Sequence, residues 1–258
     1  MAVVYVLAHF DDEYGAVPLI REAARAGTDQ WFLYVADYRT PELAAVRLAE
    51  SQRFLAHLGI EASRVVHVGK GSGAFDGDVH AALPAAYEQL RATARSLPAL
   101  DRLVVTAFEG GHMDHDMCAL MAWELSRELG GAPIEQFGLY NGLGLAGPLF
   151  HGAMPIPQNG PVRRVKVTFG EWLSWAASVR FYPSQAKTWV GLWPAMFWSL
   201  LRRGFGVQTL SEDRIAQRPH EGALLYERMF KRPYSEVKAA ADSFLAARLA
   251  LHDHQEAP

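Results

Sequence analysis

Val3-Val4-Tyr5-Val6-Leu7-Ala8-His9-Phe10-Asp11-Asp12-Glu13 runs an apolar, largely β-branched segment straight into a block of imidazole and carboxylate side chains. Uninterrupted apolar residues of this kind predict a strand buried on both faces, as in a parallel sheet. The pattern beyond it, from Tyr14 to Ala26 with Gly27 as the stop, predicts a helix. His9, Asp11 and Asp12 are then expected at a strand-to-helix turn, the edge at which open α/β sheets bind their ligands. A second polar cluster, Glu109-Gly-Gly-His112-Met-Asp114-His115-Asp116, follows the apolar run Leu103-Val104-Val105-Thr106 and should arrive at the same edge. Together the two clusters offer an imidazole-and-carboxylate metal site.

Outward from these clusters, strands and helices alternate. Strands are expected at Trp31–Val35, Arg64–Val68, Arg102–Thr106 and Gln136–Tyr140, with helices at Pro41–Leu58, Val79–Leu97 and from Asp116 to Leu129. This predicts an α/β fold, a Rossmann-like, doubly wound and mostly parallel sheet. The glycine fingerprint of dinucleotide binding is missing after the first strand, which argues against NAD and FAD. Gly69-Lys-Gly-Ser-Gly-Ala-Phe-Asp-Gly77 lacks the Gly-Lys-Ser/Thr order of a phosphate loop and reads as a mobile loop near the site. Residues 1–145 form the expected catalytic core carrying both motifs. Residues 146–258 read as an irregular extension of the same domain that completes the pocket, with a β-like Val162–Phe169 and a closing helix Ser235–His252.

With 258 residues, half of them hydrophobic, the chain can bury a sizeable core. Its single cysteine, Cys118, excludes an internal disulfide framework and fits a reducing compartment. The apolar N-terminus has no basic leader and feeds directly into the polar cluster, so a cytoplasmic location is expected and a signal peptide is not. Nothing calls for nucleic acid. The net charge of −3 is unevenly placed: residues 1–150 hold 11 Lys+Arg against 19 Asp+Glu, and residues 151–258 hold 14 against 9. The basic C-terminal part suits an anionic substrate or is simply a solvated surface.

His9, Asp12 and His115 supply the nitrogen and oxygen donors of a three-ligand catalytic zinc site with an open position for water. The two clusters resemble the signatures of the PIG-L/LmbE-like family of zinc-dependent de-N-acetylases, Ala-His-Pro-Asp-Asp-Glu and a later His-x-Asp-His. Here Phe10 stands where the family usually has Pro, a change that removes no ligand atom. The resemblance covers residues 1–145 and is loose beyond. It implies one zinc ion per chain on the same three residues, Asp11 as general base, His112 facing the reaction centre and protonating the leaving amine, and Asp114 orienting His112. By residue type alone, Asp114 reads equally as a helix N-cap. The implied reaction is hydrolysis of an N-acetyl or N-acyl group on an amino sugar or sugar-containing conjugate. The alternatives are a metal-dependent amidohydrolase on a non-sugar N-acyl compound and a non-catalytic α/β binding module.

Four further features carry weaker expectations. Glu13 suits the first helix turn, and Glu109, which opens the second cluster, reads as a support for the ligands. Pro183-Ser184-Gln185 is similar to a Ser-Gln pair of the family and reads as a substrate contact or a cap. His220 reads as a rim contact or a structural residue, and His57, His67, His80, His151, His252 and His254 as structural or exposed. Thr188–Leu201 is the most apolar stretch but too short for a bilayer span, which needs about 20 residues. Its Trp189, Trp193, Met196, Phe197, Leu200 and Leu201 share a helical face that reads as core, lid or peripheral membrane contact, and an oligomer is equally compatible.

Overall fold

The computed structural model describes residues 1–256, and side chains through Leu251, so His252 and His254 lie outside the described side chains. Five segments form the parallel part of the sheet: β1 (Ala2–Leu7), β2 (Asp29–Tyr34), β3 (Val65–His67), β4 (Leu100–Thr106) and β5 (Ile134–Phe137). Between them run α1 (Val17–Arg25), α2 (Pro41–His57), α3 (Leu83–Arg95) and α4 (Met113–Glu128). A two-stranded ribbon follows, β6 (Tyr140–Asn141) with β7 (His151–Gly152). Then come β8 (Arg163–Val165), α5 (Phe169–Ala177), α6 (Ala186–Arg203), β9 (Phe205–Thr209), α7 (Glu212–Ala216), α8 (Leu225–Met229) and α9 (Tyr234–Glu256).

The seven-stranded sheet has the order β3-β2-β1-β4-β5-β9-β8. β9 pairs antiparallel with β5, and β8 antiparallel with β9, so the sheet is mixed at one end. Because β1 stands between β2 and β4, the winding direction reverses there. That reversal leaves a crevice at the carboxyl ends of β1 and β4, where residues 8–13 and 107–115 emerge.

Strand β1 is buried along its whole length and shows the two-residue period of a strand covered on both sides. Val3, Tyr5 and Leu7 join the cluster that packs beneath α1, α2 and α6, while Val4 and Val6 join the one beneath α3, α4 and α9. The extension after residue 145 contributes to both clusters, through Trp175, Trp189, Met196 and Phe197 on one side and Val237 and Phe244 on the other.

Some boundaries differ from expectation for local reasons. The first helix is preceded by a 3-10 turn, Asp12–Ala16, since Asp12 and Glu13 use their carboxylates on nearby backbone rather than on a helix end. The glycine-rich segment 69–77 is fastened rather than mobile: the Asp37 carboxylate accepts the N–H groups of Gly71 (3.1 Å) and Gly73 (3.2 Å), and Asp114 accepts that of Gly77 (2.7 Å). Helix α6 continues through Pro194. The carbonyl that loses its partner there belongs to Val190, the most exposed apolar residue of the helix.

Candidate metal centre

The turn after β1 is built by its own side chains. Asp12 Oδ2 accepts the backbone N–H groups of Ala8 (3.0 Å) and His9 (2.8 Å), which leaves Oδ1 facing His115 Nε2 at 3.1 Å. Asp11 sits at φ 121°, a region costly for a residue with a Cβ. Glu13 holds it there: Oε2 accepts the Asp11 N–H (3.0 Å), and Oε1 accepts the hydroxyl of buried Tyr182 (2.7 Å). Glu13 therefore acts on the Asp11 backbone rather than on a helix dipole. Phe10 packs against Tyr34, Tyr38 and His67. Its N–H, which a proline would lack, donates to the Tyr38 hydroxyl at 3.3 Å.

On the facing side, Gly111 lets the loop after β4 pass under the ribbon, since a Cβ there would lie 1.9 Å from the Tyr140 carbonyl oxygen. Helix α4 begins at Met113 with His112 as its N-cap, the His112 Nδ1 accepting the Asp114 N–H at 3.2 Å. Asp114 is thus not the cap, and its carboxylate, 3.8 Å from His112 Nδ1, does not hydrogen-bond that ring. Instead Asp114 accepts from His9 Nε2 (3.0 Å), Gly77 N–H (2.7 Å) and Val79 N–H (3.1 Å), locking the first cluster to the glycine-rich loop. The Glu109 carboxylate accepts the N–H groups of Leu139 (2.8 Å) and Tyr140 (3.0 Å) and the side-chain amide of Asn141 (2.9 Å).

His9, Asp12 and His115 are all buried, and one ligand atom from each falls within 4.8 Å of the others. In a second set sharing His9, with Asp76, His112 and Asp114, the ligand atoms also lie within 4.8 Å of one another. In that set the Asp114 oxygens are already taken by two backbone N–H groups as well as His9. With Nε2 of His9 turned to Asp114, Nδ1 is the nitrogen on the Asp12 side, 3.8 Å from Oδ2. A ligand imidazole whose other nitrogen is held by a carboxylate is the usual arrangement at a metal, so the first set fits a divalent ion better.

Electrostatics of the cluster agree. Burial would depress the His9 imidazole, but Asp76, Asp114 and Asp12 raise it well above its ordinary value. Burial would raise Asp12, but the imidazoles of His115 and His9 hold it down. For Asp11 the pull of His9 and Arg47 is outweighed, and burial with the neighbouring Asp12 and Glu13 carboxylates pushes it well up. Burial lowers His112 to about 3.

The cleft above the cluster has a volume of about 220 Å³. His9, Asp11, Asp12 and His112 reach it, together with Arg47, Asp76, Tyr140, Gln185 and the apolar Leu139, Trp189, Leu192 and Phe230. Gln185 also donates its amide to the Phe10 carbonyl (2.6 Å), whereas Ser184 is bound to Glu50 through N–H (2.9 Å) and hydroxyl (2.6 Å). His220 is buried away from the cleft lining, with Nδ1 on the Glu221 carbonyl at 2.7 Å. Sequence reading passed over Asp76, which is 3.3 Å from His9 Nε2 and, through its other oxygen, 3.3 Å from Arg47. The loop after β3 had to end at the same sheet edge as the two motifs, and that was the available signal. Arg47 lies inside a helix and carried none.

The family model PIG-L, described as GlcNAc-PI de-N-acetylase, matches residues 4–126. No curated protein matches the chain. Among solved structures, a deacetylase of the teicoplanin biosynthesis pathway is similar at 18% identity and TM-score 0.58, covering 82% of this chain and 100% of its own. The N,N'-diacetylchitobiose deacetylase of Pyrococcus horikoshii follows at 14% and 0.52, with 81% and 83% covered. The 4-carboxy-2-hydroxymuconate hydratase GalB of Pseudomonas putida KT2440 also shares the fold, at 14% and 0.50 with 82% and 97% covered, so the fold by itself does not choose the reaction. Residues 4–126, the span similar to the PIG-L family model, hold both motifs and the buried His9–Asp12–His115 cluster.

Proposed function

We propose that the chain is a zinc-dependent hydrolase that removes an acetyl or other acyl group from the nitrogen of an amino sugar or sugar-containing conjugate. One observation carries this reading: three buried ligand-type side chains converge from two sheet loops, beside a second carboxylate, Asp11, that opens on the same cleft. His9, Asp12 and His115 would hold the ion, with Asp114 fixing the His9 ring. When bound, zinc polarises the amide carbonyl and lowers the pKa of a water to about 7.

Asp11 takes the proton of the attacking water, a task suited to a carboxyl whose pKa burial and two neighbouring carboxylates have raised. It then passes that proton to the leaving amine. His112, with Nδ1 committed to the Asp114 N–H, carries its hydrogen on Nε2 and hydrogen-bonds the carbonyl oxygen as charge develops there. Burial holds the His112 imidazole neutral, which favours Asp11 over His112 as the group that protonates the leaving amine. Arg47 and Asp76 offer a donor and an acceptor for sugar hydroxyls, and Trp189, Leu192 and Phe230 form an apolar wall.

That wall also suits a non-sugar N-acyl compound, which is the second reading. A panel of N-acetylated amino sugars, their conjugates and N-acyl amino acids, assayed for acetate release with zinc and with chelator, separates the two. Zinc bound at about one per chain without acyl release from any member of the panel would sink both.

A further inference from the structure

The buried stripe of α6, Trp189, Leu192, Met196, Phe197 and Leu200, already meets the packing needs of the helix, yet its opposite face is not polar. Trp198 is 62% exposed and Leu201 55% exposed. One helix away, Phe169 is 67% and Leu173 48% exposed. Phe169 and Leu201 line one groove of about 280 Å³ together with Trp175, Leu200 and Phe205, and Trp198 and Leu173 are exposed on the same two helices. A helix with apolar residues all round has a second partner for the outer face.

Charge narrows what that partner is. Residues 161–210 hold seven Lys+Arg against one acidic residue, Glu171, and Glu171 is already bound by Arg25 and by the Thr168 cap. Among the described residues no carboxylate pairs with Arg164, Lys166, Arg202 or Arg203, whereas Arg163 is paired twice. Arg164 donates to the Gly204 carbonyl at the groove (3.2 Å), and the Arg202 guanidinium lies over the Trp198 ring at 5.7 Å. Residues 1–150 carry the opposite balance, 11 basic against 19 acidic, so an anionic surface would attract this face and repel the other half of the molecule.

We propose that the α5–α6 face around this groove docks peripherally on an anionic lipid bilayer, with Trp198, Leu201, Phe169 and Leu173 in the headgroup boundary and Arg164, Arg202 and Arg203 on the lipid phosphates. Tryptophan beside arginine at an apolar rim is the composition such interfaces take. No helix among the described residues is long and apolar enough to cross a membrane, so the contact lies on the surface. The same helix walls the metal-site cleft through Thr188, Trp189 and Leu192, and docking does not depend on which reaction the cleft performs.

The test is co-sedimentation of the full chain with vesicles of phosphatidylcholine alone or mixed with phosphatidylglycerol, at low and high salt. Wild type should bind the mixed vesicles at low salt and leave them at high salt. The double variant Arg202→Gln/Arg203→Gln should partition about 20-fold more weakly. Trp198→Ala/Leu201→Ala should lose about tenfold or more, with melting temperature and metal content unchanged. Failure of wild type to bind mixed vesicles at low salt, or wild-type partitioning by both double variants, overturns the proposal. A dimer that leaves vesicles unbound and dissociates on Trp198→Ala/Leu201→Ala would assign the face to a second copy and likewise overturn it.

Discussion

Asp11 and Asp12 are adjacent in the chain and opposite in environment. Asp12 is held ionised between two imidazoles, and Asp11 is held at a strained φ with its carboxyl driven toward the neutral form. Asp11→Asn is therefore expected to keep its metal while turnover falls by about 10²- to 10⁴-fold. Metal loss with normal turnover would exchange the two roles. Asp114→Ala frees the His9 ring and the Gly77 loop together, so metal affinity should drop about 10- to 100-fold. His112→Ala should leave metal content intact and lower turnover, and elemental analysis beside a rate assay separates these outcomes. Glu109 titrates away from the ligands: burial raises its carboxyl to about 7 against hydrogen bonds from Leu139, Tyr140 and Asn141. Its folded-state pKa lies above the unfolded one, so the stability it contributes is fully present below the ordinary carboxylate range and is lost as pH rises through about 7. Relative to Glu109→Gln, wild type should lose about 3 kcal/mol between acid and pH 8, as read by denaturant unfolding at each pH.

At the level of elements, α6 combines two faces with different energetics. Phe197 packs among Trp172, Trp175 and Trp193, and Trp193 donates its indole N–H to the Ala176 carbonyl at 3.0 Å. Phe197→Ala should cost about 3–5 kcal/mol, seen as a large fall in melting temperature. Trp198→Ala, on the exposed face, should change stability by no more than about 0.5 kcal/mol. Trp193 thus stands apart from Trp198: the first belongs to the core packing, and only the second is free for a partner. Helix α4 shows how one end of an element sets geometry, since its N-cap and first turn place His112, Asp114 and His115 on three different partners.

For the whole molecule, the extension after residue 145 is joined to the N-terminal part through the sheet, both hydrophobic clusters and the site. β9 and β8 continue the sheet beyond β5, Tyr182 anchors Glu13, and Gln185 anchors Phe10. We expect a single cooperative thermal transition for the full chain, and a truncation to residues 1–145 that fails to give a soluble, zinc-binding product. Two separate transitions would show that the parts are independent domains. Chelation should lower the melting temperature, since a ligand at 100 times its dissociation constant stabilises by about 2.7 kcal/mol.

The sequence by itself determined the parallel core and its ligand edge, because β-branched runs followed by helical periodicity leave few ways to bury apolar surface, and strand ends must then place His9–Asp12 and His112–His115 together. It also determined which residue types were available for a metal. Only the tertiary structure decided how those side chains divide their work. Asp114 turned from His112 to His9, Glu13 became the clamp on Asp11, and Asp76 and Arg47 entered the cleft, each through hydrogen bonds or ion pairs linking distant segments. The antiparallel β9 and β8 were equally beyond local reading, since a short edge strand owes its conformation to the neighbour it pairs with rather than to its own residues.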